Sequence, residues 1–266
     1  MVVSLSSAAL STVVARLRAA GCVFAEDEAA LLVSAAADEP HLDVLVGRRV
    51  EGLPLEQVVG WAEFCGRRVE VDPGVFVPRR RSEFLVEEAV ALTRPGAVVV
   101  DLCCGTGALG VALARAVAGV ELHAADVDPA AVRCARRNAG RVGGRVYEGD
   151  LFGALPVSLR GRVGMLLANV PYVPSGAVRS LPAEARLYEP KVALDGGADG
   201  LEVLRRVGGE APGWLAPEGR LLVEVSERQC ERAVEVLAAG GLEARAVRSA
   251  RWDSCVVVGR RSRVHG

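Results

Sequence analysis

Residues 98–110 read VVVDLCCGTGALG, and the order of residue types describes a strand, a tight turn and the start of a helix. The valines suit a pleated, buried strand, and the run stops at Asp101. Gly105, Gly107 and Gly110 then satisfy G-x-G-x-x-G, a spacing in which backbone can turn sharply and approach a ligand closely. Working outward, apolar runs at 120–126 (VELHAAD), 164–170 (GMLLANV) and 219–225 (GRLLVEV) alternate with helical segments at 84–92, 108–117, 129–139 and 231–240. That rhythm predicts a parallel sheet with helices on both faces. Upstream, residues 8–37 carry apolar groups at helical spacing and are divided by Gly21, which predicts two short packed helices. Residues 54–78 change to short strand-like pieces punctuated by Gly66 and Asp72-Pro73-Gly74, as in a hairpin that connects two units.

The glycine loop by itself fits either a dinucleotide or S-adenosylmethionine, since both use an acidic residue after the second strand to accept hydrogen bonds from ribose hydroxyls. Charge separates them. Asp101, four residues before the first glycine, would repel a pyrophosphate but could hold the ammonium group of a methionine-like cofactor. In ADVDPAAV either Asp126 or Asp128 could cap the helix starting at Pro129; we assign the ribose to Asp126 and the cap to Asp128. Asp150, in EGDLFGAL, is placed either to meet an adenine amino group or to close a turn.

The run at 164–170 ends in an asparagine and continues Asn169-Val170-Pro171-Tyr172. An amide at the carboxyl end of a parallel strand faces the crevice where such sheets bind ligands. Its side-chain oxygen and the Val170 carbonyl can jointly accept the two N–H bonds of a planar amino group. Pro171 would stiffen the turn. Tyr172 would form an aromatic wall against a flat substrate group and against a sulfonium methyl, an arrangement worth roughly 0.5–2 kcal/mol.

Composition sets limits on these readings. The chain has 266 residues, 51% of them hydrophobic, and a net charge of −1, so it can bury a sizeable core and shows no bulk charge for coating nucleic acid. Lys191 is the only lysine among 32 basic residues, which we attribute to codon bias. The seven cysteines show no C-x-x-C spacing and no histidine cluster, so neither a metal site nor a disulfide framework is expected, and reduced thiols in a cytoplasmic protein are the simplest reading. Arg16 and Arg18 interrupt the apolar N-terminus too early for a signal or membrane span. His41 and His123 lack neighbours for a catalytic dyad, His265 sits in a basic tail expected to fray, and Trp61, Trp214 and Trp252 are scattered as packing aromatics. Glu189 is placed either to order a loop over the substrate or to pair locally.

Taken together, these motifs resemble the protein-(glutamine-N5) methyltransferases of the PrmC/HemK group, whose asparagine-proline-proline-tyrosine motif holds a glutamine amide of a peptide-chain release factor. Residues 53–83 resemble the family's joining stretch, with Pro78, Arg79 and Glu83 at matching places; residues 188–207 and 223–229 are similar to its later signatures. The resemblance implies an α/β chain: a Rossmann-like class I S-adenosylmethionine-dependent methyltransferase sheet with a small helical N-terminal domain. The expected units are a helical domain at 1–53 for substrate recognition, a hairpin connector at 54–80 and a methyltransferase domain at 81–266. It also implies that S-adenosylmethionine is held by Asp101, Cys103, Cys104, Gly105, Thr106, Gly107, Asp126, Val127, Asp150, Leu151 and Asn169, with Asn169, Val170, Pro171 and Tyr172 at the reacting centre. The acceptor would be a protein glutamine, on a release factor or another translation-related protein.

Three departures from the family pattern stand out. Val170 replaces a proline, which keeps the carbonyl but relaxes the turn. Cys103-Cys104 replaces a small Gly-Thr pair, and we read the thiols as packing groups. Arg80 and Ser82 depart from Pro-Arg-Pro-x-Thr-Glu, where PRRRS could also be a solvated basic turn. Two other readings fit the same residues: methylation of an adenine or guanine amino group in RNA or DNA, and a cofactor-binding protein without turnover.

Overall fold

The structure is a computed structural model that describes residues 7–262. Four helices open it: α1 (Ser7–Ala19), α2 (Ala25–Ala35), α3 (Glu39–Val50) and α4 (Leu55–Val59). The first two are the expected pair, broken at Gly21, and the helical stretch runs further than the spacing suggested. Asp38 starts α3 by accepting from the His41 amide at 2.8 Å, with Pro40 in the first turn, where its missing N–H costs nothing. Leu17, Leu32, Leu42, Leu45 and Val46 make the helices' shared core. Arg49 is buried beside it and donates from Nε to Glu28 at 2.6 Å, so the charge is paired where it leaves water.

The connector is a hairpin of β1 (Trp61–Phe64) and β2 (Arg67–Glu70), turning at Cys65-Gly66. Next come α5 (Glu83–Leu92), β3 (Val98–Leu102), α6 (Ala108–Ala116), β4 (Glu121–Asp126), α7 (Pro129–Gly140), β5 (Arg145–Glu148) and β6 (Val163–Ala168). The chain continues through α8 (Ala183–Tyr188), α9 (Lys191–Leu194), α10 (Glu202–Trp214), β7 (Leu215–Val225), α11 (Cys230–Ala239), β8 (Glu243–Ser249) and β9 (Ser254–Arg260). Seven strands form one sheet in the order β5-β4-β3-β6-β7-β9-β8. Alternation along β3 divides the core: Val98, Val100 and Leu102 pack towards α10 and α11, while Val99 packs towards α5 and α6. No helix among the described residues is long and apolar enough to cross a membrane.

Two expectations need correction. The sheet is mixed rather than parallel throughout: β9 runs antiparallel to β7, and β8 pairs antiparallel with β9. The hairpin between them needs only a short turn, and β8 is an edge strand carrying Glu243, Arg245 and Arg248, so its apolar signal is weak. The thiols are not all reduced either, since Cys230 and Cys255 form a disulfide. They lie 25 residues apart on α11 and β9, which pack against each other, and no local spacing motif reports such a pair.

The scattered aromatics and histidines take packing roles. Trp214 stacks on Phe152 with ring centroids 5.4 Å apart, and Arg68 lies 3.9 Å over the Trp61 ring. His123 is buried against Tyr147, with Nδ1 2.9 Å from the phenol, while His41 Nδ1 accepts from the Ala37 amide. His265 lies outside the described residues.

Candidate functional site

The carboxyl ends of β3, β4 and β6 open into a cavity of about 740 Å³. The glycine loop forms its floor. Cys103 and Gly105 both take left-handed backbone, with φ of 53° and 54°, so a thiol-bearing residue occupies a conformation that ordinarily favours glycine. Burial pushes both thiols well above their ordinary range, which leaves them uncharged. Cys103, Cys104, Gly105 and Thr106 line the cavity; Asp101 and Gly107 stand behind the lining.

Asp101 is fully buried, and its Oδ2 accepts from the Gly110 amide at 2.9 Å. Gly110 lets the helix start pack closely there, since a Cβ would come within 2.8 Å of Leu122 Cδ1 and 3.1 Å of the Asp101 side chain. The second oxygen, Oδ1, has no hydrogen-bond partner among the described residues. Burial raises the carboxyl to about 7, the Gly110 N–H holding it down and neighbouring Asp126 pushing it further up. Asp126 accepts from the Gly105 amide through Oδ2 at 2.8 Å and from the Asp128 amide through Oδ1 at 2.9 Å. It thus ties the glycine loop to the end of β4 while keeping lone pairs for a ligand. Asp128 caps α7 by accepting from the Ala130 amide at 2.9 Å, as assigned from the sequence. Asp150 lines the rim and pairs with Arg206 at 2.6 Å, with Leu151 buried behind it and Val127 half exposed across the cavity.

Asn169 follows the last residue of β6 and faces the cavity. Neither its side chain nor the Val170 carbonyl has a hydrogen-bond partner among the described residues. Val170 itself is buried in the core, which anchors the loop without using that carbonyl. The other side of the cavity is built by Phe76, Pro78 and Arg79 from the connector, by Arg81 just before α5 and by residues of the stretch that contains α8 and α9.

The signature at 188–207 now has a physical reason. A Cβ on Gly196 would lie 2.5 Å from the Pro171 carbonyl oxygen, and one on Gly200 would lie 2.3 Å from the Tyr172 carbonyl oxygen. These glycines let the segment pack directly on the Asn169–Tyr172 loop. Glu189 is buried and reaches across the chain rather than locally, accepting from Arg79 at 2.5 Å and from the Val77 amide at 3.2 Å. Burial raises its carboxyl, against the pull of Arg79. Arg79 and Arg81 therefore belong to the site, and PRRRS is not simply a solvated basic turn.

Sequence reasoning passed over four residues. Glu224, buried near the end of β7, accepts from Arg81 Nε at 3.1 Å and from the Tyr172 hydroxyl at 3.4 Å. Gln229 donates from Nε2 to the Tyr172 carbonyl at 2.9 Å. Arg49 reaches out of the helical unit to Glu184 on α8 at 2.5 Å. A lone carboxylate in the apolar run GRLLVEV was the available signal for Glu224, of the same kind that drew attention to Asn169.

Comparison with known proteins places this site in a class. A family model, the methyltransferase small domain, matches residues 67–197. The 16S rRNA N2 G1207 methyltransferase of Thermus thermophilus, solved with AdoMet and guanosine, superposes with a TM-score of 0.55 at 21% identity, over 76% of this chain and 50% of that one. Sheet order, glycine loop and acidic strand ends thus define a class I methyltransferase fold, for which S-adenosylmethionine is the cofactor expected from the sequence. The release factor glutamine methyltransferase of Geobacter sulfurreducens is 38% identical over 199 residues, which are 74% of this chain and 69% of that protein. A 4-amino-L-phenylalanine/4-methylamino-L-phenylalanine methyltransferase of Streptomyces pristinaespiralis is 40% identical over 67% of this chain and 63% of its own length. The chain belongs to the release factor glutamine methyltransferase family.

The residues present fit the cofactor. The cavity volume suits a ligand of that size. Asp101 Oδ1 is a buried acceptor without a partner among the described residues, and Asp126 retains acceptor capacity at the mouth of the glycine loop.

Proposed function

We propose that this protein methylates the side-chain amide nitrogen of a glutamine in a protein, and that the acceptor is a peptide-chain release factor. One observation carries the reading: the Asn169 side chain and the Val170 carbonyl, adjacent in the chain and without partners among the described residues, lie at the cavity beside the cofactor loop. When bound, the cofactor supplies an electrophilic methyl group on a sulfonium. An amide nitrogen is a weak nucleophile because its lone pair is delocalised into the carbonyl. Two acceptors fix both of its N–H bonds, which turns the face of the nitrogen towards the methyl and stabilises positive charge as it develops there. Asp101, the glycine loop and Asp126 are assigned to the cofactor, with Asp150 and Leu151 at its base end. Tyr172 is assigned to the wall beside the acceptor.

We assign acceptor-protein recognition to the helical unit. It is joined to the cavity wall by Arg49 on Glu184 and by the Tyr188 hydroxyl, which donates to the Glu51 carbonyl at 2.6 Å. A protein docked on these helices would meet the wall that shapes the acceptor side of the cavity.

The test is mass spectrometry of a release-factor peptide containing Gly-Gly-Gln after incubation with enzyme and S-adenosylmethionine, beside Asn169→Ala. The expected result is one methyl on glutamine, with turnover reduced roughly 10²–10³-fold in the variant, the loss typical of removing one polar group from a preorganised site. Cofactor affinity should change little. An unmodified peptide from cofactor-loaded enzyme would overturn the acceptor assignment and direct the search to RNA bases and small amines. Unchanged turnover by the variant would overturn the role of Asn169.

A further inference from the structure

We infer that Arg81 and Glu224 are positioning residues that act through the Tyr172 hydroxyl to hold the Asn169–Tyr172 loop in its reactive geometry. The inference rests on the methyl-transfer reading of that loop.

Tyr172 is held at both ends. Its carbonyl oxygen accepts from Gln229 Nε2, which also donates to the Asp199 carbonyl at 3.2 Å. Its hydroxyl donates to Glu224 Oε1 and accepts from Arg81 Nη2, and the Arg81 guanidinium carbon lies 5.8 Å from the ring centroid. Arg81 Nε closes the triangle on the same Glu224 oxygen. The three residues come from the turn just before α5, from the loop after β6 and from β7, so the contact joins three separate segments around one hydroxyl.

Energetics argue that this arrangement is more than incidental. Glu224 is buried, and its Oε2 has no hydrogen-bond partner among the described residues. A buried carboxylate with one oxygen unsatisfied is destabilising relative to an apolar side chain in the same strand. Among the described residues, its one satisfied oxygen serves Arg81 and Tyr172 and nothing else. Val170 in the core and the packed Gly196 and Gly200 fix the backbone of the loop, while the Asn169 side chain and the Val170 carbonyl make no internal bonds among the described residues. The Arg81–Glu224 contact adds the one side-chain restraint on the Tyr172 hydroxyl beside them.

A double-mutant cycle tests the inference with Arg81→Met, Tyr172→Phe and the pair, assayed for turnover on the acceptor peptide and for cofactor affinity. Arg81 is half exposed, but Arg81→Met leaves the buried Glu224 with the Tyr172 hydroxyl alone, so urea unfolding of each variant is run alongside and kcat is taken per folded enzyme. Each single change is expected to lower kcat about tenfold or more while cofactor affinity stays within about twofold, and the double variant should match either single one, since both remove the same contact. Multiplicative losses, or an Arg81→Met enzyme with wild-type kcat, would overturn the inference. Hydrogen exchange of the segment around 169–174 gives a second readout that needs no acceptor: protection should fall in Arg81→Met and in Glu224→Gln. Unchanged protection would also overturn it. An enzyme inactive on the peptide whose loop loosens as expected would instead refute the acceptor assignment and leave the clamp standing.

Discussion

Gly200→Ala provides a demanding test of how the site is built. Gly200 has φ of +77°, a conformation that L side chains rarely adopt, and a Cβ there would lie 2.3 Å from the Tyr172 carbonyl oxygen and 2.4 Å from Gln229 Nε2. Ordinary contact begins near 3.4 Å, so one side must retreat by about 1 Å. Gln229 cannot move away without giving up its bond to Tyr172, and the Tyr172 carbonyl cannot move without carrying the Asn169–Tyr172 loop with it. The backbone term costs about 1–2 kcal/mol. Displacing the reacting end by about 1 Å lowers turnover roughly 10²-fold, because alignment is the main contribution of these residues. The assay pairs steady-state methyl transfer with calorimetric titration of S-adenosylmethionine, whose proposed ligands lie on the opposite wall. The expected outcome is a kcat loss near that size, a small drop in Tm and near-normal cofactor binding. A variant with wild-type kcat would refute the argument that the glycine segment sets the position of the loop.

Two further predictions concern stability. Asp101 titrates near 7 when folded, above the ordinary carboxylate value, so the folded state binds more protons than the unfolded one between about pH 4 and 7. Stability of the cofactor-free protein should therefore fall as pH rises through that window and level off above it, whereas Asp101→Asn should remove most of this decline; parallel curves in chemical denaturation would refute the assignment. Arg49→Met leaves Glu28 buried without its partner and cuts the tie to Glu184, which should cost about 3–5 kcal/mol in urea unfolding. Since Arg49 lies outside the cofactor loop, residual folded enzyme should bind S-adenosylmethionine normally.

The cofactor half of the site was largely legible in the chain. Asp101, Gly105, Gly107, Gly110, Asp126 and Asp128 sit within two strand-to-helix turns, where local rules of turn, cap and close packing apply. Asp128 as the α7 cap is the clearest case, because a cap depends on its immediate neighbours alone. Asp150 was less decidable: its partner Arg206 is a distant residue, and a turn aspartate gives no local sign of it. The acceptor half was legible in part. Asn169 stood out as an amide at the end of an apolar strand, but nothing nearby in sequence marked Arg81 or Gln229 as partners of Tyr172. The parallel-sheet expectation failed at β9, which runs antiparallel to β7 and β8, and β8 went unseen because its exposed face carries charges that mask its strand pattern.

The chain by itself determined the α/β alternation, the glycine loop with its flanking carboxylates, and the asparagine that ends β6, because periodicity, turn chemistry and strand-end polarity are short-range properties. Only the tertiary structure decided which distant groups meet. The Cys230–Cys255 bond spans 25 residues, Arg49 reaches Glu184 across 135, and Arg81 reaches Glu224 across 143. Each of these depends on how helices pack on the sheet and on where the connector crosses its edge. A burial pattern can require that a charge find a partner, but the packed fold alone selects which one.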